Sequence, residues 1–315
     1  MDSIDAMEIE IRYQVKELPK LKLPKQTNAE DCVIVGAGDS YIAALIAHHA
    51  SNRRAICCNP MEIVHNPEIT KRRHQLYIVS VSGNTKANIL AAKVAKEQKN
   101  VLTTAITAKP ESKLAKNCDE LIELRYRSTG TPTAGTIGFT SSTLACLSLV
   151  RRVNGLDNPY RIYKQTNDEV KTLIDNSSEK SSYYIFLGNG ILFPVAIYGT
   201  LKMNEVFGSK SSAYPIEELC HSPIFSVKGN DKIIILKNEE YCSDDIIILN
   251  EKLNKMNFSS ICIDCSGSMI ETLLKSIFFL QLFILKLAVK QGIKDCYFLQ
   301  NKDILKLSSD FIYDT

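Results

Sequence analysis

Two stretches of the sequence, "DCVIVGAGDSYIAALIA" (31–47) and "YYIFLGNGILFPVAIYG" (183–199), share one build: an apolar run, a Gly-x-Gly turn, then apolar residues at helical spacing. Their first glycines, Gly36 and Gly188, lie 152 positions apart, about one domain length. A chain carrying such a unit twice is expected to be an internal duplication. Each half continues alike, with "LYIVS" and "VLTTAIT" in the first, "KIIIL" and "SSICIDC" in the second, and helical stretches between them. Strands alternating with helices imply parallel βαβ units, with helices covering both faces of each sheet. The expected class is therefore α/β, two doubly wound parallel sheets. The expected division is residues 1–155 and 156–315, bridged by the polar run "NGLDNPYRIYKQTNDE" (154–169).

The glycine turns do not fit a dinucleotide fingerprint. The third glycine would fall at Tyr41 in the first copy and at Phe193 in the second, and no G-x-x-x-x-G-K-[ST] occurs. A tight strand-to-helix turn accounts for both pairs.

A second junction, "LYIVSVSGNTKANILAAKVAK" (76–96), reads as strand, short polar loop and helix. Its loop offers the hydroxyls of Ser80, Ser82 and Thr85 but no fixed cation. Backbone N–H groups at a helix start carry the positive end of the helix dipole and suit a dianionic phosphate, and hydroxyls add further donors. A small phosphate ester is the expected ligand. In the second half the strand "IIILK" runs instead into "NEEYCSDD", where Glu239, Glu240, Asp244 and Asp245 would repel phosphate. Only the first half is expected to bind the anion.

The 315 residues carry a net charge of +3 with no basic block, which indicates neither a nucleic-acid footprint nor a membrane-surface patch. The N-terminal "MDSIDAMEIEIRYQ" has early acids and no apolar core of a signal peptide. The most apolar stretch, "SIFFLQLFILKLAV" (276–289), is short for a span and is interrupted by Lys286, so it reads as a buried helix. Ten cysteines without an export signal fit reduced thiols in a cytoplasmic protein. Cys262 and Cys265 form the one C-x-x-C, and no matching pair or histidine spacing makes it a zinc site.

Candidate proton carriers cluster in the second half. In "TLKMNEVFG" (200–208), Lys202 and Glu205 sit three apart on one helix face; they can meet a common ligand or form a surface ion pair. "SAYPIEELCHSPIF" (212–225) places Glu217, Glu218 and His221 between two prolines, a short capped segment. His48, His49, His65 and His74 have no metal-like neighbours.

"LKMNE", followed sixteen residues after Glu205 by His221 in "EELCHSP", resembles the isomerase domain of glucosamine-6-phosphate synthase. "VGAGDSY" and "SVSGNT" are similar to that family's two sugar-phosphate loops, and "FLGNGILFPVAIYG" to the start of its second half. The resemblance covers residues 30–310. It implies a tandem sugar-isomerase (SIS) fold that holds a hexose 6-phosphate through Ser40, Ser80, Ser82, Asn84 and Thr85, with Gly38, Asp39, Gly135 and Thr136 in the sugar site. By the same resemblance Glu205 shuttles a proton between C1 and C2, His221 assists ring opening, and Lys202 lies beside the developing enediol. A C-terminal lysine forms an imine with the open-chain ketose, and "NKDILKLSS" (301–309) makes Lys306 its match and Lys302 the second choice. Two departures stand out: Gly135 falls where the synthase has a ligand-binding serine, and Tyr198 replaces a glutamate on the active-site helix. An obligate homodimer, with the histidine segment reaching the neighbouring subunit's site, is also implied.

The synthase proper begins with an amidotransferase domain whose cysteine follows the initiator methionine. Here Asp2 stands there, and about thirty residues precede the first strand, so glutamine is not the expected nitrogen source. A stand-alone double-SIS enzyme of this type resembles the glucosamine-6-phosphate deaminases. A deglycase of fructosamine 6-phosphates and a phosphosugar isomerase are the neighbouring readings, and a non-catalytic sugar-phosphate sensor is a further one. The reaction moves protons and the protein can supply every group, so no metal or redox cofactor is expected.

Overall fold

The computed structural model describes residues 1–313 except 72, 99, 155, 157, 176–182 and 242–243. Gly155, at the expected division between halves, and Cys242 lie outside the described residues.

The first half carries β1 (Cys32–Gly36), β2 (Ile56–Cys58), β3 (Gln75–Val79), β4 (Leu102–Thr107) and β5 (Glu120–Glu123) in one all-parallel sheet of order β2-β1-β3-β4-β5. The second half carries β6 (Tyr184–Leu187), β7 (Ser211–Tyr214), β8 (Lys232–Lys237) and β9 (Ser259–Asp264) in a parallel sheet of order β7-β6-β8-β9. The two orders agree strand for strand, and the first sheet adds one edge strand. In each, the chain leaves the first strand to one side, then returns to add strands on the other. The reversal falls between β1 and β3, and again between β6 and β8. Crevices at such reversals, beyond the carboxyl ends of the strands, are where open α/β sheets hold ligands.

Central strands read as near-continuous aliphatic runs because helices cover both faces. Val33, Val35, Leu76, Ile78 and Ala105 pack with Ile89, Ala92 and Leu114 in the first core, and Ile185, Leu187, Ile233 and Ile235 with Ile246 and Leu253 in the second. The two Gly-x-Gly turns are built alike. A Cβ on Gly36 would stand 2.6 Å from the backbone carbon of Ser40, and one on Gly188 2.5 Å from the backbone oxygen of Leu192, so each helix starts too close for a side chain. Gly38 and Gly190 have φ of 56° and 55°, the left-handed region that favours glycine.

The compact units are not the contiguous halves expected from sequence. One comprises Lys16–Ser128, Gly135–Asn154 and Asn301–Thr315; the other comprises Met1–Val15, Thr129–Ala134 and Gly155–Gln300. The N-terminal helix, Ser3–Glu17, therefore contributes most of its length to the unit of the second sheet, and the C-terminal helix, Lys302–Ile312, joins the unit of the first. Within the latter, Lys86 Nζ donates to the Asp310 carbonyl at 2.6 Å, and Thr85 pairs with Tyr313 in an antiparallel bridge.

The expected bridge over 154–169 is corrected. Its second part opens a 17-residue helix, Pro159–Asp175, whose Ile162, Thr166, Val170 and Ile174 are buried at four-residue spacing. Its polar face outnumbers that narrow stripe, which is why the segment reads as a linker. The apolar run at 276–289 belongs to the helix Met269–Lys290, long and apolar enough to cross a membrane by length and composition; most of it is buried against Pro159–Asp175 and Leu192–Phe207. It is capped by Ser268 and Glu271 bonding reciprocally.

Candidate functional site

In the first sheet, β1 and β3 pair in register with Gly36 opposite Val79, so the loops that follow leave neighbouring strands at the same end. One carries Gly38, Asp39 and Ser40 into the helix Asp39–Ala50. The other carries Ser80–Thr85 into the helix Lys86–Lys96. Both loops sit at the sheet's reversal point, where the phosphate-suited amides were expected.

The serine loop is partly tied to itself. Ser80 is buried; its Oγ accepts from the Gly83 amide at 3.1 Å and lies 3.3 Å from Thr85 Oγ1. Ser82 Oγ accepts from the Asn84 amide at 3.4 Å, and Asn84 Oδ1 accepts from the Lys113 amide at 3.4 Å. Thr85 occupies the N-cap of its helix without a capping side-chain bond. Ser80 thus shapes the loop, while Ser82, Asn84 and Thr85 are partly exposed. A groove of ≈470 Å³ runs beside it, lined by Ser82, Asn84, Lys109, Pro110, Glu111 and Ser112. Lys109 is a cation that the sequence reading left out: it lies 25 positions beyond Asn84, after β4, and only the sheet brings the two together.

Gly135 and the buried Thr136 stand at the N-terminus of the helix Ile137–Val150, which packs on Asp39–Ala50 in the same unit. Lys302 and Lys306 are exposed on the C-terminal helix of that unit.

The other unit holds the remaining candidates. Lys202 and Glu205 lie on the helix Leu192–Phe207, with Nζ and Oε2 2.6 Å apart. The surface-pair reading is corrected: the Lys202 side chain is 1% exposed, that of Glu205 35%. An ammonium so sealed from water requires charged and polar neighbours, and the carboxylate is one of them. Its Nζ also lies 5.2 Å from the centroid of the Tyr198 ring, one turn back on the same helix. His221 follows the short 3₁₀ segment Glu217–Cys220; it is exposed, with Nε2 3.9 Å from Glu217 Oε1. The structure brings Lys202 to Glu205 and Ser80 to Thr85, and leaves His221 at the surface.

Among the described residues, no three or more His, Cys, Asp or Glu side chains are grouped to hold a metal ion. Cys262 and Cys265 are reduced thiols at the end of β9, and burial pushes Cys265 up to about 12.

A doubly wound α/β protein with an amide-and-hydroxyl loop at its strand reversal is the class that this geometry defines. Residues 27–152 match the model of the SIS domain family. The chain carries a SIS domain and is homologous to the isomerase domain of glutamine–fructose-6-phosphate aminotransferase. The isomerizing aminotransferase of that name from Sulfurisphaera tokodaii is 25% identical over 247 residues, covering 76% of this chain and 41% of the relative. The chain thus spans about two fifths of the length of the curated relatives it matches. Among solved structures, glucosamine-6-phosphate deaminase of Thermotoga maritima superposes with a TM-score of 0.75 at 21% identity, over 92% of this chain and 96% of that one. The C-terminal domain of glucosamine-fructose-6-phosphate aminotransferase from Francisella tularensis superposes with a TM-score of 0.69 at 19% identity, over 93% and 95%. These likenesses establish the fold.

Proposed function

We propose that the chain is an SIS-type enzyme that converts glucosamine 6-phosphate and water to fructose 6-phosphate and ammonia, in the cytoplasm and as a homodimer. The second half is read as a second SIS domain, a reading supported by the matching strand orders and the paired Gly-x-Gly turns.

In this reading the phosphate is held by Ser40, Ser82, Asn84 and Thr85, with Ser80 shaping the loop. Gly38, Asp39, Gly135 and Thr136 contact the sugar. His221 assists ring opening. Glu205 then removes the C2 proton of the open-chain aldose and delivers it to C1. The C=O at C1 becomes an alcohol and the C2 amine becomes an imine. Water adds at C2, ammonia leaves, and the ketose remains. Lys202 balances the negative charge that develops on the enediol-type intermediate, and Lys306 supplies the amine assigned near the sugar carbonyl.

One observation carries the proposal: a carboxylate held 2.6 Å from a solvent-sealed ammonium, with part of its surface open. A base that takes a proton and returns it next door needs a fixed carboxylate with one accessible oxygen, and ordinary surface pairs are not fixed in this way. The test is ammonia release from a panel of phosphorylated amino sugars, with fructose 6-phosphate measured in parallel. Release from glucosamine 6-phosphate with equal fructose 6-phosphate supports the proposal. Turnover of fructosamine phosphates alone moves the chain to a deglycase, interconversion of hexose phosphates without ammonia to an isomerase, and binding without turnover to a sensor.

A further inference from the structure

Behind Lys202 runs a line of buried polar side chains that the reaction as written does not use. Gln14, on the N-terminal helix, donates from Nε2 to Gln281 Oε1 at 2.7 Å. Gln281, in the middle of the helix Met269–Lys290, donates from its own Nε2 to the Tyr198 hydroxyl at 3.2 Å. The ring of Tyr198 faces Lys202 Nζ at 5.2 Å, and Nζ meets Glu205 Oε2 at 2.6 Å. Gln14, Gln281, Tyr198 and Lys202 are all fully buried, and the line reaches partial exposure at Glu205.

We infer that Tyr198, fixed by Gln281 and Gln14, is a positioning residue: its ring face seats the Lys202 ammonium and thereby holds the Glu205 carboxylate in one orientation. This rests on the reading of Glu205 as the proton carrier, but the geometric part stands apart from it. Two glutamines in an aliphatic helix packing site are expensive to desolvate unless each amide is bonded, and here they are spent on orienting one phenol. The hydrogen bond at the phenol oxygen fixes the direction of the ring's long axis, and close packing around the fully buried ring fixes its plane, so the negative face stays presented to the lysine. A lysine has four rotatable bonds and no preference of its own for one carboxylate oxygen. The ring and its hydrogen-bonded backing remove that freedom.

The experiment compares the full-length wild type with Tyr198→Phe, Tyr198→Leu and, as a control for general loosening of the same unit, Phe279→Leu, a fully buried ring that stacks on Phe283. Lysine acetylation, read by mass spectrometry residue by residue, reports how well Lys202 is held. The panel that tests the activity supplies kcat and KM for any active substrate. We expect Lys202 labelling to rise about tenfold in Tyr198→Leu and severalfold in Tyr198→Phe, and to stay near wild type in Phe279→Leu. We expect kcat to fall about tenfold or more in Tyr198→Leu with KM within twofold, as for a misplaced catalytic group whose substrate contacts survive. Equal labelling of Lys202 in Tyr198→Leu and Phe279→Leu overturns the inference. If Tyr198→Leu does not fold, Tyr198→Phe decides: wild-type labelling overturns the inference, and raised labelling supports it. An inactive wild type sinks the proposed reaction but leaves the labelling result to decide the positioning role.

Discussion

Lys202 has its ammonium sealed from water beside the partly exposed Glu205, whose Oε2 it meets at 2.6 Å. The two partners are therefore not equivalent. Removing the carboxylate leaves a buried charge without that partner, whereas removing the lysine leaves a carboxylate that water can reach. Glu205→Gln is expected to lower stability by about 2 kcal/mol and Lys202→Met by less than about 1 kcal/mol, as urea unfolding of the two variants will show. Equal costs would mean that the ion pair is not anchored by the burial of Lys202.

The same Glu205→Gln variant tests chemistry. If Glu205 carries the proton, turnover falls at least about a hundredfold while affinity for a hexose 6-phosphate is kept, since a glutamine fills the space but cannot accept a proton. Isothermal titration with substrate analogue, alongside initial rates, separates the two effects. A retained rate would place the base elsewhere.

In the serine loop, hydroxyls that look alike in sequence are expected to behave differently. Ser80 Oγ accepts from the Gly83 amide in a buried position, so Ser80→Ala should cost roughly 1 kcal/mol of stability. Ser82→Ala with Thr85→Ala should leave stability within about 0.5 kcal/mol and weaken binding of a hexose 6-phosphate instead. An unchanged affinity in that double variant would contradict the loop's assigned role.

The two Gly-x-Gly turns give a purely structural prediction. Gly36→Ala and Gly188→Ala each push a Cβ against backbone that cannot swing aside, at 2.6 and 2.5 Å, and each is expected to cost more than about 2 kcal/mol. Chemical denaturation measures it. A tolerated alanine at either position would show that the helix start can shift away from the strand.

Acid sensitivity has a named contributor in His49. Burial, then the nearby charges of His48 and Arg53, push it down to about 4 from its ordinary 6.5. Between those two values the unfolded chain takes up a proton that the folded chain refuses, so stability falls as pH drops from 6.5 toward about 4 and this contribution is level below that. His49→Gln should flatten that part of the stability profile. Identical slopes for both proteins across the window would show that His49 titrates normally when folded.

Much of this was legible in the chain itself. The strands β1, β3 and β8 are mainly aliphatic runs, β4, β6 and β9 mix aliphatic with threonine, aromatic or small polar residues, and each of the six lies in a segment that reads as a strand in the sequence. The short edge strands β2, β5 and β7 were not visible. At three or four residues with mixed exposure, they have no pattern of their own and owe their pairing to the neighbouring strand. The helix Pro159–Asp175 was missed because one buried residue in four makes a narrow stripe under many polar neighbours. Lys109 was missed for a different reason: it is an exposed lysine in a loop after β4, and nothing local distinguishes it from any other.

The repeat, the loop at the first strand reversal and the helical spacing of Lys202 and Glu205 are all local facts, set by side-chain periodicity and glycine chemistry over a few residues, and the sequence alone determined them. The depth of Lys202, the line from Gln14 through Gln281 to Tyr198, and the exchange of the chain's two ends between the compact units depend on residues up to 267 positions apart. Burial and hydrogen bonding across such separations come from packing, and only the tertiary structure decides which distant side chains share one desolvated space.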